Sequence, residues 1–149
     1  MPVGEICNRE VIIVQPGNTA HEAAQLMRAH HVGDVIVIED AAGVRKPVGI
    51  VTDRDLAIEV LAAKLDPALI TVGDILTREL LTIGEDAGVF EAIELMRKGG
   101  IRRLPVVAMD GALVGILALD DLLELLAEEL LSLSKLVKHE RRMEAEKRR

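Results

Sequence analysis

Val3-Gly4-Glu5-Ile6 returns as Val72-Gly73-Asp74-Ile75, and Glu22-Ala23-x-x-Leu26-Met27-Arg28 returns as Glu91-Ala92-x-x-Leu95-Met96-Arg97. Both recur at an offset of 69, and from Val3 to Ile38 that register holds 11 identities in 36 positions. After the turns at Gly43 and Gly111 the offset falls to 66, so that Val48-Gly49-Ile50 matches Val114-Gly115-Ile116 and Asp55-Leu56 matches Asp121-Leu122. The chain is a tandem repeat whose copies differ by three residues in one loop, and a repeat of this length is an architectural statement. Units of about 65 residues are marginal alone, whereas 149 residues support one sizeable core. The expected organisation is therefore one domain of two interlocked halves, residues 1–64 and 70–133, followed by a basic helical tail over 134–149.

Each copy carries the same succession of patterns: a β-branched run, an amphipathic helix, two β-rich runs joined by a turn, and a second helix. In copy one these are Val11–Val14, Thr19–His31, Asp34–Ile38, Pro47–Val51 and a helix opening near Asp53. Thr19 with Glu22 three residues later is a capping-box signature, preceded by the turn residues Pro16-Gly17-Asn18. In copy two they are Leu80–Ile83, Gly88–Lys98, Leu104–Ala108, Leu113–Ala118 and a helix from Leu119, with Asp110-Gly111 as the hairpin turn. Leu65-Asp66-Pro67-Ala68 reads as the linker. On the last helix Leu119, Leu122, Leu123, Leu126, Leu130, Leu133 and Val137 form one stripe at 100° per residue, with Leu125 and Leu131 off it. Two readings stay open: a core helix with two stray leucines, or a helix whose extra leucines meet another subunit.

Lys135 to Arg149 holds seven basic and three acidic side chains, which from a total of −7 leaves −11 on the first 134 residues. An acidic body disfavours nonspecific attraction to nucleic acid, and with no Trp, no Tyr and only Phe90 there is no stacking platform for single-stranded bases. No apolar run approaches the roughly 18 residues of a membrane span. The single Cys7 excludes an internal disulfide, and Met1-Pro2-Val3-Gly4-Glu5 lacks the regions of a signal peptide. A cytoplasmic protein that binds neither nucleic acid nor membrane is expected. His30-His31 point about 100° apart on a helix and make no chelating pair, and no nucleophile, metal cluster or Walker-type loop stands out. The expectation is a non-enzyme with no metal.

The informative junction is Gly49-Ile50-Val51-Thr52-Asp53-Arg54-Asp55, where a buried strand runs into a helix. Backbone N–H groups at a helix start attract an anion, a Thr hydroxyl donates to phosphate, and a carboxylate one turn in accepts from ribose hydroxyls. Thr52-x-x-Asp55 is equally the spacing of a capping box that needs no ligand. Copy two, with Gly115-Ile116-Leu117-Ala118-Leu119-Asp120-Asp121, has lost the Thr and kept the second acid, which suggests a task for Asp121 other than capping.

Tandem β-α-β-β-α units that close on Gly-hydrophobic-hydrophobic-Thr-x-x-Asp, with Arg103-Leu104-Pro105-Val106-Val107 in a second strand, resemble a CBS-domain pair, the Bateman module. The resemblance spans about residues 1 to 130 and implies an α/β fold with a pseudo-two-fold axis. It also implies clefts for AMP, ADP, ATP, NAD or S-adenosylmethionine, a regulatory role such as energy sensing, and a homodimer through helices including Leu119 to Leu133. The regulated protein would then be a partner in trans. Carried onto this chain, the first pocket takes Ile50, Thr52, Arg54 and Asp55, with Gly84, Val89, Ile101 and Arg102 lining the base side. The second takes Ile116, Ala118, Asp120 and Asp121, with Gln15, Ala20, Val32 and Gly33 on the base side, and Arg102 or Arg103 for phosphate. The resemblance makes Asp55 and Asp121 ribose ligands and Thr52 a phosphate ligand. Copy one has Gly33-Asp34 where copy two has Arg102-Arg103, so the pockets are expected to differ in affinity, with the first the more nucleotide-like. A scaffold with vestigial pockets is the alternative.

Overall fold

Two helix starts in copy one are written by a threonine, whereas α1 (Val3–Ile6) follows Pro2 with no side-chain cap. Thr19 Oγ1 accepts the Glu22 N–H and opens α2 (Ala20–His30), and Thr52 opens α3 (Asp53–Asp55), which continues as a π-helical segment over Leu56–Leu61. The computed structural model describes residues 1–76 and 79–148; the expected second repeat includes 77–78 and the expected tail includes Arg149, which lie outside the described residues. The other elements are α1 (Val3–Ile6), β1 (Ile13–Val14), β2 (Asp34–Ala41), β3 (Val44–Thr52), α4 (Val72–Ile75), β4 (Ile83–Gly84), α5 (Val89–Gly99), β5 (Arg103–Val107), β6 (Leu113–Ala118) and α6 (Leu119–Lys147). They form two compact units, Met1–Leu117 and the segment from Ala118 on.

Two three-stranded sheets, ordered β1-β2-β3 and β4-β5-β6, repeat one plan. β1 runs parallel to β2 with Val14 opposite Val37, and β4 runs parallel to β5 with Ile83 opposite Val106, which is the same register at the offset of 69. β2 and β3 are antiparallel through a two-residue turn at Ala42-Gly43, both with positive φ, the geometry that matches strand twist. A bulge at Val48 lies next to Pro47, which has no N–H to give to the ladder. The core of copy one gathers Val14, Ala23, Met27, Val35, Val37 and Val51, all nearly inaccessible, with Val72 and Ile75. Those last two come from α4, the first element of copy two.

That exchange is reciprocal. The Val72 and Gly73 N–H groups donate to the Asn18 and Pro16 carbonyls, while Val3 and Gly4 donate to Ala87 and Glu85, the same positions 69 residues on. Each copy's leading turn is thus seated on the other copy, which is the signature of a two-fold rather than a translational relation. Two glycines make the crossing possible. A Cβ on Gly49 would lie 2.5 Å from a Leu76 methyl, and one on Gly115 would lie 2.5 Å from the Asn8 carbonyl oxygen and 2.8 Å from Cys7 Sγ. The short turns α1 and α4 have too few residues to announce themselves by periodicity.

α6 runs unbroken for 29 residues, straight through the expected boundary at 133/134. Leu122 is buried, but Leu123, Leu126, Leu130, Leu133 and Val137 of the expected inward stripe are exposed, as are Leu131 and Leu136. The reading of that stripe as a face covered within the chain is corrected by these exposures.

Candidate functional site

The strand-to-helix junction in copy one is built by a reciprocal capping box. The Asp55 N–H donates to Thr52 Oγ1 at 3.1 Å, and the Thr52 N–H donates to Asp55 Oδ2 at 2.9 Å. Thr52 and Asp55 are half-buried, whereas Asp53 and Arg54 are exposed. The Asp53 N–H donates to the Gly33 carbonyl at 2.9 Å, and a Cβ on Gly33 would meet Asp53 Oδ2 at 3.3 Å, which brings Gly33 from the expected second pocket beside the first. Ile50 pairs with Ile36 across the sheet and packs on the cluster of Ile36, Ile38 and Ile116. The apolar positions expected in different pockets, Ile50 and Ile116, therefore share one cluster between the copies.

The capping geometry is not particular to this junction. Thr71 and Asp74 make the same reciprocal box at α4, with Thr71 N–H to Asp74 Oδ2 at 3.0 Å, and hydrogen bonding from Thr71, its backbone N–H first and its side chain second, holds the Asp74 carboxyl below its ordinary value. At α6 the Ala118 N–H donates to Asp121 Oδ2 at 3.3 Å, although Ala118 has no side-chain oxygen to complete the exchange. Asp121 thus has a capping role of its own, which accounts for its retention without threonine. A carboxylate at the third helical position satisfies a terminal N–H whether or not a hydroxyl answers it.

Arg103, expected to be available for phosphate in the second pocket, is engaged across the copies: its guanidinium Nε lies 2.5 Å from Asp34 Oδ2, in an ion pair joining β5 to β2. Asp34 and Arg103 are the same position in the two copies at the offset of 69, so this contact lies on the pseudo-two-fold axis. Burial lifts the Asp34 carboxyl above its ordinary value, Arg103 draws it back, and the Asp53 carboxylate adds to the rise. The acid's desolvation outweighs the attraction despite the short contact. Asp53 escaped notice in sequence as one acid among several; its position between Thr52 and Arg54 was the available signal.

Of the remaining expected residues, Val89 and Ala20 are buried, with Ala20 in the core of copy one. Small, apolar positions at a helix start serve packing before they serve a ligand. Gln15, Val32, Gly84 and Arg102 are exposed and Ile101 is half-buried. Asp120 is exposed in the first turn of α6. A concavity of about 580 Å³ lies elsewhere in copy one, between α2 and the π-helical segment, lined by Ala20, Ala24, Leu56, Ala57, Val60 and Lys64 among others; Thr52, Arg54 and Asp55 do not line it. Among the described residues no group of three His, Cys, Asp or Glu side chains could hold a metal ion, and no helix is long and apolar enough to cross a membrane.

The model of the CBS domain matches residues 3–62 and again 72–128. The chain belongs to the CBS-domain family. An uncharacterized protein of Methanopyrus kandleri is 40% identical over 122 residues, a match covering 82% of this chain and 61% of that protein, so this CBS pair spans less than two thirds of that relative's length. A CBS domain pair solved with 5′-methylthioadenosine and S-adenosyl-L-methionine superposes with a TM-score of 0.74 at 27% identity, covering 87% of this chain and 98% of that one. A CBS domain protein from Pyrobaculum aerophilum, solved with AMP, gives 0.72 at 26% identity over 81% and 89%. CBS pairs of this fold therefore include ones that hold adenosine compounds, and the expected tandem CBS architecture is the one observed.

Proposed function

We propose that this CBS pair is a non-catalytic regulatory module that binds an adenosine nucleotide of the AMP, ADP, ATP, NAD or S-adenosylmethionine class and passes its occupancy to a partner protein in the cytoplasm. The observation that carries the reading is the Thr52–Asp55 box. Capping and binding do not compete there. The Thr52 hydroxyl accepts from Asp55 and keeps its own proton for a phosphate oxygen, and a carboxylate with about four acceptor sites spends one on the Thr52 N–H. The box holds both side chains in one orientation before any ligand arrives, which lowers the ordering cost of binding. A phosphate here would meet Arg54 and would have to draw Arg103 from Asp34, so ligand and axial ion pair are linked. Adenosine compounds in relatives of the same fold support the class of ligand. Occupancy would shift the arrangement of the copies only through a difference in affinity between arrangements.

The test is calorimetric titration with AMP, ATP, NAD and S-adenosylmethionine in turn, on the parent chain, Asp55→Ala and Asp74→Ala. Asp74 supplies the same capping bond away from the junction, so it controls for lost helix capping. Binding by one nucleotide that is lost in Asp55→Ala and kept in Asp74→Ala is the expected result. Binding by none, or equal loss in both variants, overturns it. The exposed leucines of α6 favour a second reading, a homodimeric interaction scaffold with vestigial pockets, for which no nucleotide would bind.

A further inference from the structure

Ala20, Ala24 and Ala57 line the concavity between α2 and the π-helical segment, and the same positions of copy two carry the larger Val89, Ile93 and Leu123. Copy one is therefore small at the three places where copy two is bulky. One wall of the concavity is wound in an uncommon way. The Ala62 N–H donates to the Ala57 carbonyl at 2.9 Å and the Leu65 N–H to the Val60 carbonyl at 3.0 Å, each five residues back. Such widened turns are rare and occur frequently at functional sites. The same wall ends on Lys64, whose φ of 57° lies in the left-handed region that a helix end usually gives to Gly or Asn. Residues held in that region cluster at ligand clamps and switches. Among the described residues Lys64 is the one charged side chain lining the concavity, and it makes no ion pair there.

We infer that this concavity is a ligand site of its own, for a free carboxylate on an unbranched alkyl chain of medium length, with the carboxylate at Lys64 Nζ and the chain along the alanines. The inference goes beyond nucleotide binding and does not rest on it, since neither Thr52 nor Asp55 lines the concavity. Its volume of about 580 Å³ falls among small-molecule sites, which set a few polar groups in an apolar lining. The chemistry of that lining selects the occupant. With alanine, leucine, valine and proline beside one lysine, it offers no ring on which a base could stack and no side-chain acceptor for an amine. What it does offer is apolar surface and a single cation. Leu61 and Leu65, which line it and are 77% and 43% exposed, are covered once an alkyl chain lies between them. A helix from another chain is a poorer occupant, because helices pack on ridges spaced three and four residues apart and the π-helical turns interrupt that spacing.

The test is calorimetric titration of the full chain at pH 7 with decanoate and with 1-decanol, both kept below their aggregation limits. Decanoate should bind about fivefold more tightly than 1-decanol, the worth of one exposed charge pair. Lys64→Gly should cancel that preference and leave 1-decanol binding as it was; glycine accepts the φ of 57°, so the variant keeps the backbone. Ala24→Leu puts a large side chain where copy two has Ile93, and should weaken both probes about tenfold. Ala24 is exposed on α2 and leucine is a good helix former, so circular dichroism of this variant should match the parent. No binding of either probe, binding indifferent to Ala24→Leu, or a decanoate preference that survives Lys64→Gly each overturns the inference. So does an Ala24→Leu variant that changes the sedimentation of the chain and not its binding of decanoate, which would assign the concavity to a second copy. Titration of the parent chain with AMP reports on the proposed function separately, so either idea can fail alone.

Discussion

Arg103→Met should destabilise the folded chain by about 2 kcal/mol at pH 7, more than Asp34→Asn at about 0.5–1 kcal/mol, because the two substitutions strand different groups. With the guanidinium gone, Asp34 stays only 20% exposed and keeps Asp53 beside it, whereas Arg103 without its acid is already 38% exposed and reaches water. Two unit charges about 4 Å apart attract by about 4 kcal/mol at an effective dielectric of about 20, and solvent at the arginine end reduces what a mutant cycle recovers to about 1–2 kcal/mol. Asp34→Asn/Arg103→Met should therefore cost about 1–1.5 kcal/mol, well short of the sum of the single changes. Urea unfolding followed by circular dichroism resolves this, since about 2 kcal/mol moves the midpoint by about 1 M. The pH dependence has a definite sign. A carboxyl raised above its ordinary 3.8 contributes stability below that value and loses it as pH rises through the folded-state pKa. Removing Arg103 raises it further, so the Arg103→Met penalty should shrink between pH 7 and pH 4. Strict additivity within about 0.3 kcal/mol, or a penalty that grows toward pH 4, would refute the axial pair.

Gly115→Ala should destabilise by about 2 kcal/mol in the same assay, because the new methyl meets the Asn8 backbone oxygen rather than a yielding side chain. Gly17→Ala, with nothing within 4 Å, should stay within about 0.5 kcal/mol. Ala42→Asn should stabilise the fold by about 0.5–1 kcal/mol, since φ of 53° strains alanine and Asn-Gly suits the turn; a loss would argue against that geometry. Cys7 should react more slowly with a soluble alkylating reagent at pH 8 than a model thiol. Burial is the first cause that lifts its pKa, and Sγ is turned toward the Gly4 carbonyl at 3.6 Å. Rates equal to the model thiol would show the leading turn to be detached.

Much of this fold was legible because the chain states it twice. The recurrence at 69 carried one sheet onto the other, and Thr19 with Glu22 marked a helix start to within a residue. Thr52-x-x-Asp55 was legible as two readings, and the coordinates explain why no choice was forced: one set of atoms serves the cap and retains the groups a ligand needs. What escaped were contacts made only in three dimensions. Nothing local tells Arg103 that its partner is its own counterpart in the other copy, or tells Val3 that it belongs to the other half. The leucines of α6 show the converse, a clear periodicity that declares an apolar face without saying what covers it.

The crossed leading turns also set an order of events during synthesis. Copy one needs α4, which follows it within a few residues, but Val3 and Gly4 must wait for Glu85 and Ala87, and Asn8 for Ile116. At about 5–20 residues per second the ribosome takes about 4–16 s to make the first of those partners. Through that interval the amino-terminal strand of contacts is open, and an N-terminal tag or a binding chaperone would act on the second repeat before it exists.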